Sequence, residues 1–90
     1  MITKKPKFVK TNTQLMVESI KDVSPHFFSI MNVNDISGGK NVLVFNTRDS
    51  KIKIIENHVD KTYTLYINSK RIKNNLTIKE VIDLLVEEQE

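Results

Sequence analysis

The sequence contains no cysteine and no alanine, and only two glycines and two prolines in 90 residues. The lack of cysteine excludes disulfides, thiolate catalysis, iron–sulfur clusters and the common cysteine-ligated zinc sites. Long hydrophobic runs are lacking too, since the longest, Val42 to Phe45, has four residues. A membrane helix needs about 20 such residues and a secretory signal about 7 to 15. We therefore expect a cytoplasmic protein with no membrane partner.

The length favours one structural unit. Ninety residues is below the roughly 100 to 200 typical of a domain, which leaves little room for a large enclosed active site. The apolar share of 39% and charged share of 28% are typical of a globular fold. We predict a basic N-terminal arm over residues 1–10 and a single compact domain over residues 11–90.

Charge and codon bias add two further hypotheses. Residues 1–10 contain four lysines and no acid, whereas residues 79–90 contain one lysine and five carboxylates. The basic start is either a solvated tail or an arm that contacts phosphate. Twelve lysines against two arginines, with eleven isoleucines and nine asparagines, correspond to codons rich in A and T. This bias suggests a phage protein or one encoded by a mobile element, located in the cytoplasm of a bacterial cell or a phage-infected host.

The first half of the chain predicts one clear helix. Met16, Ile20 and Val23 recur at helical spacing, so a helix is expected over residues 13–23, with a capping box at Thr11. Pro25 should end it, because the residue before proline disfavours the helical conformation. Residues 26–33 are rich in aromatic and long apolar side chains and favour a strand, with a second helical turn as the alternative. Residues 34–40 contain two glycines and predict a loop.

The second half of the chain alternates between apolar and polar residues. Residues 41–46 are apolar on both faces, which predicts a central strand covered from two sides. Residues 51–56 and 62–68 have one apolar and one polar face, and the Asn68–Ser69 turn should lead into a further strand over residues 71–73. The expected core side chains of these strands are Ile52, Ile54, Tyr63, Leu65, Ile67 and Ile72.

The last helix is marked by a capping box and an apolar stripe. Thr77 and Glu80 have the T-x-x-E spacing that begins a helix. The stripe that follows consists of Ile78, Val81, Ile82 and Leu85. The predicted fold class is α+β, with an N-terminal helix, a three- to four-stranded antiparallel β-meander and a C-terminal amphipathic helix packed on the sheet.

Two surfaces are candidates for binding. Strand alternation should place cations and one aromatic residue opposite the core, on a face formed by Lys51, Lys53, Tyr66, Arg71 and Lys73. That face is a solvated surface that resists edge pairing, a protein-binding surface, or a platform on which Tyr66 stacks against nucleic-acid bases. On the last helix, the surplus hydrophobes Leu84 and Val86, with Glu87, form a second candidate interface for a homodimer or another protein.

Motifs of catalysis and metal binding are weak. Gly38-Gly39-Lys40 lacks the spacing of a phosphate-binding loop, and Glu56, His58 and Asp60 lack the helical spacing of a metal-binding pair. We expect no catalytic residue, no metal and no cofactor. The leading hypothesis is a small non-enzymatic regulatory or inhibitory protein that binds another protein. The alternative is a nucleic-acid-binding protein that uses the basic sheet face and the N-terminal arm.

Overall fold

The structure is a computed structural model that describes residues 12–89 and the side chains of residues 13–88. It contains three helices and five strands: α1 (Asn12–Val23), α2 (Phe27–Ile30), β1 (Asn34–Gly39), β2 (Val42–Asn46), β3 (Lys51–Asn57), β4 (Thr62–Ile67), β5 (Lys70–Leu76) and α3 (Ile78–Gln89). The strands form one antiparallel sheet in the order β1-β2-β3-β4-β5. The arm predicted for residues 1–10 and the cap predicted at Thr11 lie outside the described residues.

The predicted α+β class is confirmed, with a meander of five strands in place of three or four. α1 packs against β1 and β2, and α3 packs against β4, β5 and α1. Leu43, Ile52 and Leu65 join the helical residues Ile20 and Val81 in one hydrophobic cluster. The two long helices therefore cover the same side of the sheet. Complete burial of each large side chain in this cluster contributes about 1.5 to 3 kcal/mol.

Both long helices begin or end where local chemistry dictates. α1 ends at Val23, and the Ser24 N–H still bonds the Ile20 carbonyl at 2.8 Å before Pro25 turns the chain. At the start of α3, the Thr77 hydroxyl accepts a hydrogen bond from the Glu80 N–H at 3.2 Å. The Glu80 carboxylate in turn accepts one from the Thr77 N–H at 2.8 Å. The predicted capping box is thus confirmed.

The strand predicted over residues 26–33 is wrong, because part of this segment forms the short helix α2. Phe27 and Met31 are both buried, and their spacing of four residues places them on one side of a helical turn. The Phe27 ring meets the Phe28 and Phe45 rings edge to face, at centroid distances of 5.4 and 6.3 Å. Asn32, with φ of 56°, ends the turn. Helical spacing of the core residues therefore prevails over strand propensity.

The loop predicted over residues 34–40 is also wrong, because residues 34–39 form the edge strand β1. Gly38 has φ of 147°, and a Cβ there would lie 2.1 Å from the Val42 carbonyl oxygen, so only glycine fits this pairing. The Thr13 hydroxyl lies 3.0 Å from the Gly39 carbonyl oxygen and 3.1 Å from that of Val42. Backbone pairing and this tie to α1 order a segment whose six residues are all exposed.

Two expectations about burial need correction. Residues 42–46 were expected to be covered from both sides, but only Leu43 and Phe45 are buried, while Val42 and Val44 remain partly exposed. The reason is that α1 and α3 share one side of the sheet. Ile72, expected in the core, is 38% exposed, because β5 lies at the sheet edge and its pairing is irregular.

Candidate functional site

The side of the sheet that faces away from α1 and α3 is the candidate site. It is built from alternate residues of the central strands, whose neighbours in sequence are buried in the core. Neither long helix packs on this side in the part of the chain that the structure describes. We call it the open face and define it by these residues: Val42, Val44, Lys51, Lys53, Ile55, Thr62, Thr64, Tyr66 and Arg71.

One row of paired residues crosses the open face from β2 to β5. Val44 pairs with Lys53, Lys53 with Tyr66, and Tyr66 with Arg71. Directly paired residues in an antiparallel sheet point to the same side, with Cβ atoms about 4.5 to 5.5 Å apart. The row therefore places an aromatic ring between two cations near the middle of the sheet.

The closest contact in this row joins Lys53 to Tyr66. The Lys53 ammonium lies over the Tyr66 ring at 5.2 Å from its centroid, which is within the range of a cation–π interaction. At an exposed site such a contact contributes about 0.5 to 1 kcal/mol. It places one positive charge over the centre of the open face.

An apolar strip runs beside the cations, and sequence reasoning did not assign it to a site. Val42 pairs with Ile55 across β2 and β3, next to Val44, and all three side chains are partly exposed. The available signal was the apolar run of β2, which the prediction assigned to a second covering layer. With both long helices on the other side, these side chains become part of an accessible surface.

Carboxylates are nearly absent from this side of the sheet. Within the described residues, β2, β3 and β4 place none on the open face, because Glu56 pairs with Tyr63 on the helix side. Asp35 of β1 reaches one corner, where its Oδ2 accepts a 3.1 Å hydrogen bond from Asn46 Nδ2. Lys51, Lys53 and Arg71 are exposed, so the face carries positive charge.

Lys73 does not join the other four residues predicted for this face. It pairs with Leu65, whose side chain is buried on the helix side, whereas Arg71 pairs with Tyr66. A register shift lies between these two pairs. Because of this shift, Arg71 and Lys73 do not point to the same side of the sheet, although they are two residues apart. A second shift lies near Asn75, which has φ of 56°. The adjacent polar residues Asn74 and Asn75 were the available sign of this irregularity.

The second predicted surface, on α3, is less accessible than its sequence suggested. Leu84 and Val86 are half-buried and pack against the core cluster, while Glu87 is exposed. Val86 and Glu87 also line an open groove of about 530 Å³ between the end of α1 and α3, together with Val23. The helix therefore presents carboxylates to its surroundings with only a narrow apolar margin.

Charge separates between the two layers of the molecule. α1 and α3 together carry two lysines and six carboxylates, whereas residues 34–76 carry eight cations and four carboxylates. On α3, Lys79 pairs with Asp83 at 3.1 Å in an exposed contact that adds little stability. The sheet layer is positive and the helix layer is negative.

The polar residues of the β3–β4 connection serve the turn. The Asp60 carboxylate accepts hydrogen bonds from the Thr62 hydroxyl at 2.7 Å and the Thr62 N–H at 3.3 Å. Across residues 12–89, no group of three or more histidines and carboxylates lies close enough to hold a metal ion.

Tyr63 makes a long 3.5 Å contact to Glu56. Burial raises the pKa of Tyr63, and the charge of Glu56 raises it further.

Comparison with known proteins adds no relative. No protein-family model matches the chain, and no curated protein and no solved structure matches it. Among the described helices, none combines the length and the apolar character that a membrane crossing requires. The geometry of the open face is therefore the basis for assigning a function to this chain.

Proposed function

We propose that this chain is a small non-enzymatic regulatory or inhibitory protein that binds an acidic surface of a protein partner through its open face. The observation that carries the proposal is the composition of that face. Lys53 and Arg71 flank Tyr66 in one row, beside a partly exposed aliphatic strip and almost without carboxylates.

This composition resembles the centre of a protein interface. Interface centres are enriched in arginine and tyrosine, and they need apolar area that loses its water on binding. Val42, Val44 and Ile55 supply that area. The cations supply long-range attraction, which mainly raises the association rate and selects partners of opposite charge. Solubility favours surfaces on which charges of both signs are mixed, and the open face lacks that mixture.

A nucleic-acid platform is the second candidate, and one observation favours it. Lys53, Tyr66 and Arg71 lie in register across three adjacent strands, and single-stranded nucleic acids are bound by rings flanked by cations. Two features favour a protein partner instead. Tyr66 is the one aromatic side chain that the described strands place on this face, and the Lys53 ammonium already lies over its ring.

The proposal is tested by affinity capture from the cells that make the protein, with variants of matched charge change. Lys53→Glu/Arg71→Glu reverses two charges on the open face. Lys40→Glu/Lys61→Glu reverses two exposed charges in the β1–β2 and β3–β4 connections. The wild type and the connection variant should each recover the same stoichiometric protein, and the face variant should bind it at least about tenfold more weakly, or about 1.4 kcal/mol.

Equal recovery by the face variant, or equal loss in both variants, contradicts the proposal. Loss of the captured material after nuclease treatment would show instead that the open face binds nucleic acid. Nucleic-acid binding by the open face is tested separately, in a gel-shift experiment with a single-stranded oligonucleotide. Binding at about 50 mM salt should fall steeply by about 200 mM, because each phosphate contact releases counterions. No shift at the lower salt concentration eliminates it.

A further inference from the structure

We infer that one acidic surface that fits the open face is the outward side of α3 on a second copy of this chain. The inference rests on the proposed function, since it uses the same open face, and it names the partner chemistry. The two surfaces lie on opposite layers of one molecule. Each copy therefore offers both halves of the contact at once.

Charge is the first argument. α3 carries four carboxylates and one lysine, and that lysine is already paired with Asp83. Glu80, Asp83 and Glu87 are separated by three and four residues, so they follow one side of the helix, and all are exposed. The open face carries three exposed cations, and the central strands add no carboxylate to it. The two surfaces are opposite in sign and similar in number of charges.

Spacing is the second argument. Lys53 and Arg71 lie two strands apart, and strands are separated by about 4.8 Å, which gives about 10 Å between their backbones. Glu80 and Glu87 are seven residues apart on α3, and a rise of about 1.5 Å per residue also gives about 10 Å. A helix that lies across the strands can therefore set Glu80 and Glu87 opposite Lys53 and Arg71 together. Val44 of β2 then lies next along the same row, beyond Lys53.

The charges also determine the symmetry of the contact. Two open faces placed against each other would bring Lys53 and Arg71 near their own copies, which costs free energy through like-charge repulsion. Two α3 surfaces placed against each other would likewise bring their carboxylates together and repel. The favoured contact joins unlike surfaces, so a third copy can add to a pair, and assembly continues unless the rotation between copies closes a ring. Because the ion pairs are exposed, the association should be weak and sensitive to salt.

Sedimentation velocity of the full chain tests this inference with two neutralising variants. Lys53→Ala/Arg71→Ala disables the open face. Glu80→Gln/Glu87→Gln removes two of the four carboxylates of α3 and retains the capping box, because glutamine serves at position 80 as glutamate does. The wild type should form species larger than a dimer as its concentration rises about a hundredfold at about 50 mM salt, and these should dissociate at about 500 mM.

Each variant alone should associate at least about tenfold more weakly than the wild type. An equimolar mixture of the two should form 1:1 dimers and nothing larger, because each variant retains one intact surface. The controls are Lys61→Ala and Asp49→Asn, which each remove one loop charge outside both surfaces, and these should behave as the wild type does.

Three results would overturn the inference: a monomeric wild type at low salt, a mixture that does not form dimers, or an open-face variant that associates as strongly as the wild type. The last would assign the positive partner of α3 to other residues, such as the lysines of residues 1–10. A monomeric wild type leaves the proposed function intact if the open face captures a foreign protein. Loss of that capture alone leaves the self-association result standing.

Discussion

The two sides of the sheet come from the same strands and differ in burial and charge. Ile52 and Ile54 are fully buried under the helices, whereas Lys51 and Lys53 next to them are exposed on the open face. Side chains alternate in direction along a strand, so each residue contributes to only one side. The helix side supplies the stability of the fold, and the open face is left to vary in chemistry at little cost to that stability.

The largest expected difference between the sides uses two isoleucines that are adjacent in β3. Ile54 is fully buried on the helix side and Ile55 is partly exposed on the open face. Ile54→Ala should lower the free energy of unfolding by about 2 to 5 kcal/mol, because a buried truncation loses transfer energy and leaves a cavity. Ile55→Ala should cost about 1 kcal/mol or less, in proportion to its smaller burial. Urea unfolding followed by circular dichroism measures both.

Ile54→Val guards against a variant that fails to fold, and it should cost about 0.5 to 1.5 kcal/mol. Similar losses for Ile54→Ala and Ile55→Ala would mean that the two sides of the sheet contribute equally to stability. The contrast between a structural side and a proposed binding side would then be wrong.

The next effect concerns the helix that covers the structural side. Thr77→Ala should lower the free energy of unfolding by about 1 kcal/mol, because the Glu80 N–H loses its capping oxygen. Glu80→Gln is the control and should change stability by only a few tenths of a kcal/mol, since glutamine retains the reciprocal bond. Thermal or urea unfolding compares the two. An unchanged free energy of unfolding in Thr77→Ala would show that the cap does not stabilise α3.

A smaller effect is expected from the polar contact on the open face. A double-mutant cycle with Lys53→Met and Tyr66→Leu should give a coupling free energy of about 0.5 to 1 kcal/mol in unfolding experiments, since the Lys53 ammonium lies 5.2 Å from the Tyr66 ring centroid. Coupling indistinguishable from zero would mean that the contact does not hold Lys53 in place. Lys73→Met with Tyr66→Leu is the matched cycle, and it should show no coupling because Lys73 pairs with Leu65.

The smallest effect concerns the ionisation of Tyr63, which changes the free energy of unfolding only in alkaline solution. The pKa of Tyr63 is raised by burial and by Glu56 above its usual value of 10.0. As the pH rises above 10.0, the unfolded chain releases this proton first, so the stabilisation, complete below that pH, is lost as the pH approaches the folded pKa. The unfolding free energy of the wild type should therefore fall relative to that of Tyr63→Phe as the pH rises above 10.0. Parallel pH dependences would contradict the assignment.

Sequence patterns predicted the elements in which buried and exposed residues alternate at a regular spacing. α1, α3 and the alternation of β3 and β4 followed from regular apolar spacing, and each is confirmed. The segment around Phe27 failed because a short aromatic run fits a strand and a helical turn equally well. Only the buried positions of Phe27 and Met31, four residues apart, distinguish them. Local propensity does not decide such a case.

The two edge strands were the hardest part of the sheet to predict. β1 is entirely exposed, and a bulge between Asn34 and Ser37 leaves it without alternation, so its sequence resembles a loop. β5 has two register shifts, which separate Lys73 from Arg71. Four of the five residues predicted for the open face do lie there. The aliphatic strip was missed because a doubly apolar strand was taken to mean a second covering layer.

The most direct test of this account is the affinity of folded Lys53→Glu/Arg71→Glu for the captured partner, measured by titration calorimetry. Both residues are exposed, so the variant should remain folded, with a free energy of unfolding lower by about 1 kcal/mol or less because the contact between Lys53 and Tyr66 is lost. Its Kd should rise at least about tenfold. An unchanged Kd in a variant that is shown to be folded would contradict the assignment of binding to the open face.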